Sequence, residues 1–396
     1  MSAAADKPVR VLYSFPHKIG TDRICNTAWQ LVNGAAAAGT DIHLFTGVLS
    51  KPFPTNVRVN TTLARGKLRI PYKLLGKVRA LQLHDHIVSR WVEKLADEID
   101  VVHTWPVGAL KTLKAAKRLG IPTVLERPNA HTRFAYEVVR KECERLGITM
   151  PPDHEHAFHE DILRIEEEEY ALADRLLCPS DFVLQTFLDA GFLREKLARH
   201  QYGFDHQIYT SAGSSQGAGP GLTMLFVGGV APRKGLHYAL EAWMASPAHK
   251  DGTFLIAGEF IPGYAEKLGP LLAHPSVHRL GHRRDVADLM KKSDLLVLPS
   301  IEEGSALVTS EARGSGCVLL VSDAAGAICK HTENALVHHA GDVKALTEHL
   351  TMLHQDRALL KKLRDASLST VNELTWSSAG IRLANVYRDT AKLKYT

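Results

Sequence analysis

The pattern that most constrains this chain occurs twice: a short apolar run, a glycine-bearing turn, a helical period and a second apolar run. In the first copy the run Val9 to Tyr13 is followed by Pro16 and Gly20. A segment from Asp22 to Ala38 then carries Ile24, Ala28, Leu31, Val32 and Ala35 at helical spacing and stops at Gly39, before a strand at Ile42 to Phe45. The second copy has a strand at Met224 to Val227, the pair Gly228-Gly229, a helix from Gly235 to Ala245 and a strand at Phe254 to Ala257. Each is a βαβ unit, whose crossover is right-handed in a parallel sheet. Further apolar runs at 100–103, 123–125 and 176–178, and again at 295–298 and 318–321, extend both copies into doubly wound sheets. The predicted class is α/β: two Rossmann-like domains facing a cleft, with ligands at the carboxyl ends of the strands.

The segment SAGSSQGAGPG at 211–221 cannot build a core and predicts a flexible surface stretch near the junction. The first domain is expected at 1–205 and the second from 206, just before this stretch. The 396 residues suit two domains at about 150 residues each. With 45% hydrophobic and 23% charged residues, general disorder is excluded. A net charge of +5 is too weak for an obligate nucleic-acid binder, and none is expected as a partner. Five widely spaced cysteines without a C-x-x-C pair read as reduced thiols. The start, MSAAADKPVR, carries no apolar signal region, and no apolar run nears the roughly 18 residues of a membrane span. A soluble, cytoplasmic protein is expected.

The richest segment chemically is 294–312. A buried strand ends at Pro299, a loop carries Glu303 and Gly304, and a helix is predicted to begin near Ser305. The free N–H groups of its first turn make a site for phosphate or a sugar hydroxyl. Glu311 lies on that helix, one turn beyond Leu307, where a carboxylate can accept the two hydroxyls of a ribose. Upstream, the strand at 224–227 runs into a loop carrying Arg233, Lys234 and Gly235. A planar fork beside a compact charge suits a diphosphate leaving group.

Together these residues resemble the retaining, GT-B-fold glycosyltransferases of family 4, over nearly the whole length. The resemblance rests on Glu303 and Glu311 with seven residues between, on Arg233-Lys234-Gly235 and on the Leu280-Gly281-His282 strand end, and extends to Gly20 and to Pro128-Asn129-Ala130-His131. It implies that Glu303 contacts the donor sugar, Glu311 the ribose, Arg233 and Lys234 the diphosphate, and His131 the sugar, with Gly20 facing donor and acceptor. It also implies a donor site completed by Gly229, His282, Gly304, Ser305, Ala306, Leu307 and Val308, with no metal and no other cofactor. By the same likeness the second domain ends at 374, and 375–396 form a last helix crossing back to the first. The implied reaction moves a sugar from a nucleotide-diphosphate donor to a saccharide, lipid-linked or small hydroxylated acceptor. The chain departs from the family at Gly229, where Arg is frequent, at Gly304-Ser305-Ala306, where G-F-G is frequent, and at Ile19-Gly20-Thr21, where a double glycine is usual.

Three further features carry two readings each. His154, His156 and His159 form a metal-like cluster, but their acidic surroundings favour a solvated helix. Glu166 to Glu169 read as a wet face whose Glu167 or Glu168 could pair with the basic region. That region, 51–92, holds nine Lys+Arg against the single acid Asp85, and Lys73, Lys77 and Arg79 interleave with Leu74, Leu75, Val78 and Leu81 after Pro71. It is a charged outer helix or a peripheral contact with an anionic membrane at its inner face. The competing functions are a non-catalytic sugar-nucleotide binder, or an epimerase or phosphorylase on the same scaffold.

Overall fold

The computed structural model describes residues 7–65, 68–69, 76–154, 156–216, 219 and 221–393. The strands of the first half are β1 (Arg10–Ile19), β2 (Asp41–Leu49), β3 (Val57–Thr61), β4 (Ala64–Arg65), β5 (Leu68–Arg69), β6 (Val101–Thr104), β7 (Thr123–Glu126), β8 (Arg175–Cys178) and β9 (Leu197–Arg199). Those of the second are β10 (Thr223–Val227), β11 (Thr253–Ala257), β12 (Val277–Gly281), β13 (Leu295–Leu298), β14 (Val318–Ser322) and β15 (Ala335–His338). They form a seven-stranded sheet, β3-β2-β1-β6-β7-β8-β9, and a six-stranded sheet, β12-β11-β10-β13-β14-β15, while β4 and β5 pair alone. Both large sheets are parallel, so helices cover their faces and the central strands are apolar on both sides. Leu295 to Leu298 and Val318 to Val321 have no measurable exposure.

In both sheets the strand order reverses beside the first strand, β1 or β10. Chains leaving these two strands therefore diverge and leave a crevice at their carboxyl ends. β1 runs beyond the expected end at Tyr13, because Phe15 and Ile19 are buried too. Pro16 is tolerated there: it falls in the register irregularity between Phe15 and Lys18, where the ladder is already broken.

The last helix, Trp376–Ala391, packs on the helix Arg23–Ala37 and buries Ala379, Leu383 and Tyr387 in the first domain's core. The helices touch at Gly34 and Gly380, where a Cβ on Gly380 would lie 2.2 Å from the Gly34 carbonyl carbon. The Tyr387 hydroxyl meets His103 Nδ1 at 2.8 Å. Beside this helix the chain also passes from first to second domain: Phe204 N–H donates to the Leu374 carbonyl at 3.0 Å, and a Cβ on Gly203 would lie 2.4 Å from Trp376 N.

Several expectations need correction. The stretch expected to be flexible is tied down over its described part: Ser215 N–H donates to the Lys291 carbonyl at 3.1 Å, and the Gln216 amide to the Met290 carbonyl at 2.9 Å. In the basic region, Pro71, Lys73, Leu74 and Leu75 lie outside the described residues. The helix Lys77–Lys94 buries Ala80, Leu81, Val88 and Val92 within the domain, so its apolar face is already occupied. Asp85 is buried with it and accepts from the N–H groups of Lys111 and Thr112, at 2.7 and 2.9 Å. Among the described residues no helix is long and apolar enough to cross a membrane.

The acidic run is a wet face only in part: Glu168 is exposed and Glu167 half-buried. Glu166 and Glu169 are buried, because each has inward partners. Glu169 accepts from Val107 N–H and Ala109 N–H at 2.8 and 3.0 Å, and burial pushes its pKa up to about 8. Glu166 pairs with the buried Arg127 at 3.4 Å, whose guanidinium lies 4.3 Å from the Tyr170 ring centre. Glu167 and Glu168 pair with Arg133 and Lys114 instead of the basic region.

Candidate active site

The site is built where β10 and β13, adjacent in the second sheet, release their chains toward the first domain. After β10 a short 3-10 turn, Pro232–Lys234, ends at Gly235 with φ +69°. A Cβ there would lie 2.0 Å from the Pro299 carbonyl oxygen, so only glycine lets the two loops stack. This stacking holds Arg233 and Lys234 over the loop after β13. Arg233 is buried and its Nη1 donates to the Glu302 carbonyl at 2.7 Å and to Glu302 Oε2 at 3.0 Å, and lies 3.2 Å from Glu303 Oε2. Lys234 pairs with Glu303 Oε1.

Two cations and two carboxylates thus share one enclosed spot. Burial opposes ionisation of Glu303, but Arg233 and Lys234 outweigh it and hold its carboxyl below the usual range. Burial raises the Glu302 carboxyl, and Arg233 offsets only part of that. Burial also lowers the Lys234 ammonium, which Glu303 partly restores.

The helix after β13 spans Leu307–Gly314, two residues later than expected, with Ala306 at its N-cap and no side chain capping it. Ser305, Ala306, Leu307 and Val308 line the cleft, so the uncapped first turn faces open space. Gly304 marks the contact between domains: a Cβ there would lie 1.6 Å from the Pro128 carbonyl oxygen. Its own carbonyl accepts from Ser180 Oγ at 2.5 Å, and Glu302 Oε1 accepts from Ala130 N–H at 3.3 Å. Glu311 lines the same cleft and hydrogen-bonds Tyr209, while burial pushes its pKa up to about 7.

Three cavities meet here. One of about 510 Å³ lies between the domains and takes in Arg23, Asn129, His156, Tyr209, Arg233, Lys234, Glu303, Leu307 and Glu311. A second, of about 410 Å³, shares Arg23, His156, Arg233 and Lys234 and reaches Gly228, Gly229 and His282. The backbone N–H of His282 donates to Glu259 Oε1 at 2.8 Å. A third, of about 230 Å³, lies in the first domain and includes His17, Lys77, Asn129, Tyr136, His156 and Ile162.

Two expected site residues stand elsewhere. His131 is buried at the N-cap of the helix Thr132–Leu146, and its ring packs 5.1 to 5.9 Å from the rings of Tyr170, Phe187 and Phe192. Burial and the nearby Arg127 lower its pKa to about 4, and its ring belongs to the domain core instead of the cleft. Gly20 is a buried turn residue at φ +85°, where a Cβ would press on Lys51. Arg23, Ile24 and Thr27, just after it, are what face the cleft. The histidine reading is corrected as well: His154 and His156 lie in a turn before the helix Glu160–Leu172 and line the cavities, while His159 is that helix's N-cap. Among the described residues no group of three metal-ligating side chains comes together.

Against this geometry stand the comparisons with known proteins. The profile described as Glycosyltransferase Family 4 matches residues 26–207, and that described as Glycosyl transferases group 1 matches residues 221–356. The chain belongs to the family 4-type glycosyltransferases. A curated relative from Campylobacter jejuni, N,N'-diacetylbacillosaminyl-diphospho-undecaprenol alpha-1,3-N-acetylgalactosaminyltransferase, is 33% identical over 86 residues; the match spans 21% of this chain and 23% of that enzyme. Among solved structures, Anabaena Alr3699/HepE in complex with UDP and glucose aligns at TM-score 0.62 and 16% identity, covering 96% of this chain and 100% of that one. The lipopolysaccharide outer core galactosyltransferase WaaB in its apo form aligns at 0.69 and 13% identity, covering 96% and 99%. At such identities the likeness is one of fold, and it agrees with the two-domain GT-B architecture expected from the sequence.

In this family member, sequence reasoning missed Arg23, Glu302, Tyr209 and the cleft position of His156. Arg23 had a signal, following the glycine loop directly. Glu302 had one too, as the neighbour of Glu303 before Gly304. Nothing local marks Tyr209 or His156.

Proposed function

We propose that this chain transfers a sugar from a nucleotide-diphosphate donor to a hydroxyl acceptor with retention of configuration and without a metal or other cofactor. The single observation that carries this reading is the enclosed cluster of Arg233, Lys234, Glu302 and Glu303 beside an uncapped helix start. The donor's diphosphate takes the place of Glu303 at Lys234 and gains the N–H groups from Leu307 onward. The displaced Glu303 carboxylate then accepts hydroxyls of the sugar, and Glu311 accepts those of the ribose. Gly229 and His282 border the extension of this donor site.

As the bond between the anomeric carbon and the phosphate oxygen breaks, its electron pair and negative charge pass to the diphosphate. Arg233, Lys234 and the helix start are already oriented to receive that charge, which is where preorganised electrostatics lower a barrier most. The acceptor oxygen bonds to the same face of the anomeric carbon, and its proton passes to the departing phosphate oxygen. UDP in the HepE complex supports a uridine nucleotide as donor. The name of the Campylobacter relative supports a lipid-diphosphate-linked acceptor, and with it peripheral residence at a membrane. On this reading 1–205 form the acceptor-side domain, 206–374 the donor domain, and 375–396 the crossing helix.

The test is a screen of UDP-sugars for hydrolysis or transfer, with and without EDTA. Turnover of at least one donor that survives chelation is expected. Complete dependence on a divalent ion would sink the role given to Arg233 and Lys234, and nucleotide binding without any turnover would leave a sugar-nucleotide-binding protein.

A further inference from the structure

His156 is the only described residue that borders all three cavities. Its turn is built by short local bonds: His154 N–H donates to the Pro151 carbonyl at 3.0 Å, Ala157 N–H to the His154 carbonyl at 2.9 Å, and His156 N–H to His154 Nδ1 at 3.2 Å. Ala157 is buried, which anchors the turn on the first domain and leaves the partly buried His156 at the mouth of that domain's cavity. From there it faces Arg233 and Lys234, the cations assigned to the donor diphosphate.

Resting on the transferase reading above, we propose that His156 is a substrate-touching residue that orients the acceptor, its ring nitrogen accepting a hydrogen bond from the attacking hydroxyl where the first-domain cavity opens onto the donor. Three observations support this. The position is the junction itself, so a group bound in the first-domain cavity passes the ring on its way to the anomeric carbon. The ring is held neutral, since burial, Arg233, His154 and Lys234 all oppose a proton on it, and a neutral imidazole offers one lone pair and one N–H. Finally, the first-domain cavity sets Lys77 beside the apolar Val78, Tyr136 and Ile162, with Glu166 already paired to Arg127, which suits a sugar carried on a partly apolar, anionic aglycone.

The experiment compares wild type, His156→Ala and His156→Gln. UDP binding is measured by calorimetry. The donor is whichever of UDP-glucose, UDP-galactose, UDP-N-acetylglucosamine and UDP-N-acetylgalactosamine the wild type consumes fastest, with methyl glucoside at high concentration as acceptor. The readout is the ratio of sugar transferred to sugar released into water. The alanine variant is expected to lower this ratio about tenfold and raise the acceptor KM, with UDP affinity within about twofold, and glutamine to restore part of it. An unchanged ratio in both variants overturns the proposal. A joint loss of UDP affinity and of all turnover also overturns it, by making His156 a diphosphate ligand. If the wild type neither binds UDP nor consumes any of the four donors, the transferase reading itself has failed and this inference falls with it.

Discussion

The two walls of the cleft are made in different ways. The wall from the second sheet draws Arg233, Lys234, Glu302 and Glu303 from the two loops that follow adjacent strands, β10 and β13, where they bind one another, and Glu311 from the helix that follows the second loop. The opposite wall draws Arg23 from the start of the helix Arg23–Ala37 and Asn129 and His156 from two loops, at three places far apart in the chain. Arg23 is exposed, sits at φ +47° and follows a glycine turn. On the proposed reading, a wall whose charges are fixed by each other suits the part of the reaction that does not vary, the nucleotide diphosphate. A wall assembled from separate segments suits the part that differs between relatives.

Three measurements can break or sharpen this contrast. The largest effect belongs to Lys234→Ala, which on the proposed reading removes a preorganised charge from the leaving group and should lower kcat for transfer by about 10²- to 10³-fold with every acceptor. A loss confined to one acceptor would assign the residue to the wrong wall.

Next comes the pH dependence of nucleotide binding. The Glu311 carboxyl, raised to about 7 by burial, holds its proton below that pH and cannot accept both ribose hydroxyls. UDP affinity should therefore climb about tenfold as pH rises from about 6 to about 8, with a proton released on binding. In Glu311→Gln, only the titration of UDP itself should remain. A wild-type profile no steeper than the variant's would end the ribose assignment.

The smallest effect belongs to Arg23→Ala. Its guanidinium is exposed, and an exposed charge placed across the cleft from Lys234 is worth about 1 kcal/mol or less, a few-fold in donor kcat/KM that shrinks with added salt. A hundredfold loss would show this wall to be as fixed as the other.

The same contrast explains what could be read in the sequence. The βαβ repeats, the Glu303–Glu311 spacing and Arg233-Lys234-Gly235 were legible because strand, turn and helix start lie within a few residues of each other. His131 was misplaced because its environment, the rings of Tyr170, Phe187 and Phe192, lies dozens of residues downstream. Glu166 and Glu169 read as solvated because acids usually are, and only the fold brings them Arg127 and the N–H groups of Val107 and Ala109. The helix at 77–94 is amphipathic whether its apolar face meets lipid or protein, so periodicity alone left both readings open.

The polypeptide crosses between the halves at two places that lie side by side, Phe204 against Leu374 and Gly203 against Trp376. A single tether would allow one half to slide, tilt or swivel against the other. Two neighbouring tethers act like the paired leaves of a door hinge: they suppress sliding and leave one easy motion, a swing about the line through both. Such a swing would carry the far lips of the crevice apart, letting substrates come and go, and would return Arg23 and His156 to the same facing residues on shutting.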